Sequence, residues 1–297
     1  MLGSDVKIVD AHHHIWNPVT NDPDVGYVWL KKIGAPKPFG DPTAIQRDYL
    51  LDEFRAEHPQ LTASVHVQVD GAIDDPVAET LFVYEQAQAA GHPVAIVGFV
   101  DLTMDNCGEV MDRHLACPSF RGVRHIVSRL DDRPDISFAP EHFLENAAWR
   151  AGFAQLGQRG LSFDLQCYPE QMATAADLFA GHEDVPVIID HAGSPWDQSD
   201  EGLTRWSDGL ARLAALPQIS IKLSGFGMFD KDRAMTGDLT RQIVDLFGPE
   251  RVMFGSNFPV DRLMADYVAY VDEVAKAVPT EHQAAIFGAN ARRIYRF

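Results

Sequence analysis

Cysteine is scarce in this chain, with only Cys107, Cys117 and Cys167 among 297 residues. Their number is odd and no CxxC spacing occurs. That argues against a disulfide framework and a thiolate zinc site, and leaves packing as their expected role. Basic charge is also short. The 25 Lys plus Arg stand against 43 Asp plus Glu, a formal net charge of −18, and such an acidic surface repels a polyphosphate backbone, so nucleic acid is not an expected partner. No apolar run approaches the roughly 18 residues of a membrane span and no signal peptide opens the sequence. The expected setting is cytoplasmic, without a membrane partner. No low-complexity linker or internal repeat divides the chain. No Gly-rich turn follows the first predicted strand, where a dinucleotide-binding fold carries one; Gly255-Ser256-Asn257 is too short to count.

Against these absences, the segment Lys7-Ile8-Val9-Asp10-Ala11-His12-His13-His14-Ile15-Trp16 stands out. Side chains two apart on a strand share a face, so His12 and His14 project together from the end of an apolar run. A three-histidine run fused to such a strand does not read as a purification tag. Further β-rich runs are predicted at 62–69, 94–100, 120–127, 161–167, 185–190, 219–223 and 251–255, making eight with 6–11. Helical patterns fill the gaps at 47–57, 76–90, 106–116, 140–158, 169–179, 201–215 and 235–247, and close the chain at 263–277, 281–287 and 291–295. Strands alternating with helices imply parallel pairing through right-handed crossovers, and eight units suit a closed (β/α)8 barrel, a TIM barrel of one domain over 1–297, better than a doubly wound sheet. The long irregular segment 17–43, rich in Pro, Gly and aromatics, is expected to wall or cover the site.

In such a barrel, chemistry collects where the strands end. The second strand ends His66-Val67-Gln68, the third at Asp101, and the fourth carries Arg121, Arg124 and His125. The fifth reads Asp164-Leu165-Gln166, the sixth Asp190-His191, the seventh Lys222-Leu223-Ser224, and the eighth leads into Gly255-Ser256-Asn257-Phe258-Pro259-Val260-Asp261. Any one of these is explained as a hydrogen-bonded core polar group. Eight together would cost stability unless a ligand or water uses them. The arginines read either as anchors for a substrate carboxylate or hydroxyl or as surface ion pairs. Trp16, Trp29, Phe39 and Trp196 read as an apolar wall or as packing.

These motifs, with Gly98-Phe99-Val100-Asp101, Phe120-Arg121-Gly122-Val123-Arg124-His125, Ile189-Asp190-His191-Ala192-Gly193 and the terminal Gly288-Ala289-Asn290-Ala291-Arg292-Arg293, resemble the amidohydrolase superfamily over essentially the whole chain. Within it they resemble the amidohydrolase-related branch that holds sugar lactonases and dicarboxylate lactone hydrolases. The resemblance implies a distorted (β/α)8 barrel in which His12, His14 and His191 meet. There they either bind one divalent metal such as zinc or hydrogen-bond a lactone carbonyl, while an eighth-strand carboxylate takes a proton from water. His66, Gln68, Arg121, Arg124, Gln166 and Trp16 are then the expected substrate contacts. One position departs from the pattern: Asn257 stands where much of the superfamily has Asp, and a carboxamide cannot accept a proton near neutral pH. The base then falls to Asp261 in the same loop, to Asp101 or Asp190 on other strands, or to different chemistry. The expected reaction is hydrolysis of a sugar-acid or muconolactone-like ring ester in carbohydrate metabolism. Decarboxylation by the same barrel branch and noncatalytic binding of a small acid stay open as alternatives, and so does a homo-oligomeric state.

Overall fold

The eight apolar runs become eight parallel strands: β1 Ile8–His13, β2 Leu61–Val67, β3 Val94–Phe99, β4 Phe120–Arg124, β5 Ser162–Leu165, β6 Val187–Ile189, β7 Ile219–Leu223 and β8 Val252–Phe254. The computed structural model describes residues 1–20, 26–69, 74–230 and 233–297. The strands pair in sequence order from β1 to β8. Past the end of β8 the ring is drawn together by Asn257 N donating to His12 O and His14 N donating to Phe258 O, both at 2.7 Å. The result is the single-domain (β/α)8 barrel that the alternation predicts. Parallel strands are covered on both faces, which is why they read as nearly unbroken apolar runs. One face packs on the helices through residues such as Ile96, Val123, Phe163 and Ile221. The other fills the barrel with Val9, Val65, Val97, Ile188 and Met253, closed by Tyr295 of the terminal helix Asn290–Tyr295.

Local chemistry sets where the outer helices begin. Asp75 accepts from Val77 N at 3.1 Å ahead of Pro76–Ala90, and Ser199 accepts from Gly202 N at 3.1 Å ahead of Asp200–Ala214; both are N-caps that supply a missing acceptor to the first turn. The predicted helix 140–158 is instead a turn followed by Ala147–Phe153 and Gln155–Gln158. Asn146 accepts from Ala148 N and Trp149 N with extended backbone, so no helix runs through it. Likewise Asp266 caps Tyr267–Ala277, starting that helix later than 263. Within segment 17–43, residues 21–25 lie outside the described residues. The remainder holds one helical turn, Val28–Lys31, and is tied down where Trp16 and Tyr49 exchange two backbone hydrogen bonds of 2.9 Å. Among the described residues no helix is long and apolar enough to cross a membrane.

One buried carboxylate fastens the β8–β1 closure. Asp10 Oδ1 accepts from His12 N at 3.0 Å and Ser256 N at 2.9 Å, and Oδ2 accepts from Tyr267 Oη at 2.9 Å. Burial pushes this carboxyl up to about 6, against the pull of those donors. A folded-state value above the unfolded one means that the group's contribution is fully present below about pH 4 and is lost as pH rises through about 6. Asp10→Asn keeps the oxygen that faces the two amides and turns an N–H toward Tyr267. In urea unfolding it is expected to lie within about 1 kcal/mol of the parent at pH 5 and to gain on it by pH 8, whereas Asp10→Ala costs about 3 kcal/mol by stranding three donors. A parent and Asp10→Asn variant with the same pH slope would contradict this role.

Candidate active site

β1 changes register against β2 between Asp10 and His13. After that shift His12 and His14 both turn inward, while His13 points out and stacks on Phe54 at 3.9 Å between ring centres. The inner pair sits 5.1 Å apart, and His191, at the end of β6, lies 4.6 Å from His12. Positioning His191 takes unusual backbone. His191, Ala192 and Ser194 all have φ of 53°, a left-handed conformation that costs most residues free energy and concentrates at functional sites. The loop after β7 yields to it: a Cβ on Gly225 would lie 2.5 Å from His191 Nδ1. Asn257 also has a positive φ, 58°, and asparagine is among the residues that tolerate this best.

The partners of the imidazoles fix their tautomers. His14 Nδ1 is 2.7 Å from Val67 O, and a carbonyl only accepts, so Nδ1 carries the proton and Nε2 presents a lone pair. That lone pair faces Asn257 Oδ1 at 3.2 Å. His12 Nδ1 lies 3.1 Å from Asp190 Oδ1 and 3.3 Å from Lys222 Nζ. Lys222 has nearer acceptors in Asp164 Oδ2 at 2.5 Å and Asp190 Oδ1 at 3.0 Å, so His12 donates to Asp190 and its Nε2 is left as a buried lone pair without a hydrogen-bond partner. Burial holds all three rings neutral: it pushes His12 and His14 well below the usual imidazole range and His191 to about 3. Neutral imidazoles with inward lone pairs suit a divalent metal. His12, Asp190 and His191 each offer a donor atom within 4.8 Å of the others, the one such cluster among the described residues.

Beneath the histidines lies a buried charge network. Lys222 bridges Asp164 and Asp190, Arg124 Nη1 stands 3.6 Å from Asp190 Oδ2, and Tyr295 Oη donates to Asp164. Two cations thus offset two carboxylates. Burial alone would push Asp190 up, but the Lys222 ammonium, with the hydrogen bond from His12, reverses this and holds it well below the usual range.

Above lies a cavity of about 500 Å³. Its floor carries His14, Gln68, Arg124, Gln166, His191 and Asn257, and its walls include Trp16, Trp29, Phe39, Phe99, Phe138 and Phe143. Segment 17–43 therefore does wall the site, through Trp29, Lys37 and Phe39. Arg124 is tied to Gln166 Oε1 at 3.4 Å and to the Gln68 carbonyl. Asp101 and His125, noted at strand ends but not among the expected contacts, both line the cavity. His125 Nδ1 accepts from Leu102 N at 3.3 Å, so its proton sits on Nε2.

Other expected residues lie elsewhere. His66 faces outward, donating from Nε2 to Glu79 Oε1 at 3.0 Å, with Nδ1 accepting from Ile15 N at 3.3 Å; it holds β2 to the helix Pro76–Ala90. Arg121 sits at the opposite end of the barrel, where its Nε donates to Arg296 O at 3.2 Å and its Nη1 to Pro118 O at 2.8 Å. Trp196 lies outside the cavity lining, under the Arg133 guanidinium and bonded to Glu170. Asp261 is buried behind Asn257, whose Nδ2 donates to it at 2.9 Å, and it does not line the cavity. Burial pushes its carboxyl up to about 7, against the bonds from Asn257 and Gly227.

The family model described as Amidohydrolase matches residues 9–297. This chain belongs to the amidohydrolase family. It is 34% identical to the Sinorhizobium fredii protein y4mH over 309 residues, covering 99% of each chain. It is 31% identical to an L-fucono-1,5-lactonase of Burkholderia multivorans, covering 97% of this chain and 95% of the relative. Among solved structures, a Burkholderia multivorans amidohydrolase with bound HEPES superposes with a TM-score of 0.79 at 29% identity, over 98% of this chain and 99% of that one. A crystal form with bound zinc gives 0.78 at 28%, with the same coverage. In this amidohydrolase the neutral histidines stand directly on the charge network, so the network's integrity is measurable as stability. Lys222→Met leaves Asp164 and Asp190 without their shared cation and is expected to cost about 3–5 kcal/mol, read by denaturant unfolding. A variant as stable as the parent would show that the network is not needed.

Proposed function

We propose that the protein is a hydrolase that opens a small lactone, with sugar-acid lactones as the substrate class and zinc or a similar divalent cation as cofactor. The observation that carries the reading is the pair of inward lone pairs on His14 Nε2, at the floor of the cavity of about 500 Å³, and on His12 Nε2, buried beside it. Of the two routes open to such histidines, hydrogen bonding to the ester oxygen needs an N–H on Nε2, and here those protons are spent on Asp190 and Val67. We read the cation as held by His12, His14 and His191, of which His12 and His191 fall with Asp190 in the cluster of donor atoms within 4.8 Å of one another; a cation there would supply Lewis-acid polarisation and activation of water. The similarity to an L-fucono-1,5-lactonase supports the choice of ester.

The chain's own groups then divide the remaining work. Arg124, with Gln68 and Gln166, offers donors on the floor that can hold a substrate hydroxyl or carboxylate in one pose. The aromatic walls exclude water from the other faces. Of the three acids weighed as base, Asp190 is tied to Lys222, His12 and Arg124, and Asp261 is screened by an amide that cannot pass on a proton. Asp101 stands on the cavity wall with its side chain 41% exposed; its Oδ1 accepts from Thr103 N at 2.9 Å and Thr103 Oγ1 at 2.6 Å, and we assign proton removal to its other oxygen.

Acid release from a panel of sugar-acid lactones tests the reading, using untagged protein so that no added histidines bind metal. His14→Ala is expected to lose about 100-fold or more in kcat, and Arg124→Ala to raise KM by about 10-fold. Arg121→Ala, at the far end of the barrel, should stay within about twofold of the parent, because it touches neither the cavity nor the groups that support it. No turnover across the panel, or equal effects of the two arginine variants, would overturn the assignment; carbon dioxide release from an aromatic acid would point instead to a decarboxylase.

A further inference from the structure

The aromatic wall over His14 depends on an amide that lies outside the cavity. Trp29 enters the cavity from the helical turn Val28–Lys31. Its ring stands edge-on to Trp16 at 5.6 Å between centres and to Phe39 at 6.2 Å, and Trp16 in turn lies parallel to His14 at 6.2 Å. Four residues are too few for a helix to hold itself. The turn also ends without a cap of its own, because Lys32 leaves helical backbone at φ −87° and ψ 75°, and the carbonyls there need donors from elsewhere. Ala35 N reaches Lys32 O at 3.1 Å, and Gln46 supplies the rest. Its Nε2 donates to Trp29 O and to Lys32 O, both at 2.9 Å, and its Oε1 accepts from Gly34 N at 2.8 Å. Gln46 is buried, so bulk water does not substitute for it.

The amide is itself mounted on a fixed base. Arg47 O, next in the chain, accepts from Trp16 Nε1 at 2.8 Å, and Tyr49 pairs with Trp16 through the backbone. Packing holds the segment on one side only, through Tyr27 and Leu30, while Val28 and Ile33 are exposed. From this we infer that Gln46 is a positioning residue: it fixes the Trp29 backbone at the height over His14 at which the indole meets the apolar face of a bound ring, and so sets substrate affinity without touching substrate. Two carbonyls and one N–H demand two donors and an acceptor from a single group, a combination that among uncharged side chains belongs to Asn and Gln. The inference rests on the reading of the cavity as the site of a small lactone. It assigns the apolar half of binding to Trp29, opposite the polar half on the floor.

A cycle of four proteins tests it: the parent, Gln46→Met, Trp29→Ala and the double variant, each with thermal unfolding as a control. Gln46→Met keeps the length of the side chain and removes its three hydrogen bonds. On a sugar-acid lactone that the parent opens, it is expected to raise KM about tenfold while kcat falls by no more than about twofold, as when binding is lost equally from the ground and transition states. A residue that merely held the fold would lower the active fraction, and with it kcat, at constant KM. Acrylamide quenching of tryptophan fluorescence is expected to rise in Gln46→Met as Trp29 loosens. On the Trp29→Ala background the same change is expected to alter KM by at most about twofold and quenching not at all, because the amide acts through that ring. Should Gln46→Met not unfold cooperatively, Gln46→Ala takes its place. Parent KM in Gln46→Met, a full rise in KM on the Trp29→Ala background, or unchanged quenching would each overturn the inference. Failure of the lactonase reading looks different: none of the four proteins would open a lactone, and the quenching cycle alone would then decide whether Gln46 holds Trp29.

Discussion

The closure of the barrel between its last strand and its first governs the rest of the molecule. Two backbone hydrogen bonds and the Asp10 carboxylate hold the chain after β8 against β1 at the point where β1 shifts register. That shift turns His12 and His14 to the same side, and the same backbone contacts bring Asn257 against His14. Loosening this seam would separate the histidines from the eighth-strand loop and leave neither able to act with the other. Its donors are internal and dry, so they stay paired only while the ring is closed.

The site is built in two electrostatic layers. Lys222, Arg124, Asp164 and Asp190 form a charged layer in which two cations offset two carboxylates, with Arg124 Nε and Asp190 Oδ2 making no hydrogen bond, and it gives one useful thing upward: an acceptor for His12 that fixes the ring's tautomer. The imidazoles above are neutral because they are buried, and their lone pairs point inward because their protons are spent on Asp190 and Val67. A cavity walled by aromatics then opens onto a lone pair, amides and one guanidinium. This division lets the protein bury several ionisable groups beside a reaction site without stranding charge.

Much of this was legible in the sequence, for reasons that also mark where legibility stopped. The eight apolar runs and their helical spacers specify the barrel, because a parallel strand covered on both faces has no polar alternation to hide it. The strand-end polar groups locate the cavity, and His14, Gln68, Arg124, Gln166, His191 and Trp16 all line it. Arg121 could have been excluded by parity: it lies three residues before Arg124, so on one strand the two face opposite ways. His66 is also a matter of parity, since Val65 and Val67 fill the interior of β2, and Gln68 reaches the cavity only because the strand has ended. The register shift that turns His12 and His14 inward leaves no periodic trace, nor does the screening of Asp261 by Asn257. Both depend on the seam where Ser256 N meets Asp10, 246 positions away in sequence. Asn146 is a residue type that caps helices, yet the apolar spacing on both sides of it has the helical period, so the break leaves only this one-residue trace.

The most direct test of the central claim is hydrolysis of a sugar-acid lactone in ¹⁸O-labelled water, with the product carboxylate examined by mass spectrometry. If the inward histidines and the cavity floor serve attack of water on the ring ester, one ¹⁸O is expected in the product carboxylate, and labelled product should form faster than in an enzyme-free control. Ring opening without label in that group, or no opening by protein that is folded and loaded with divalent metal, would contradict the account.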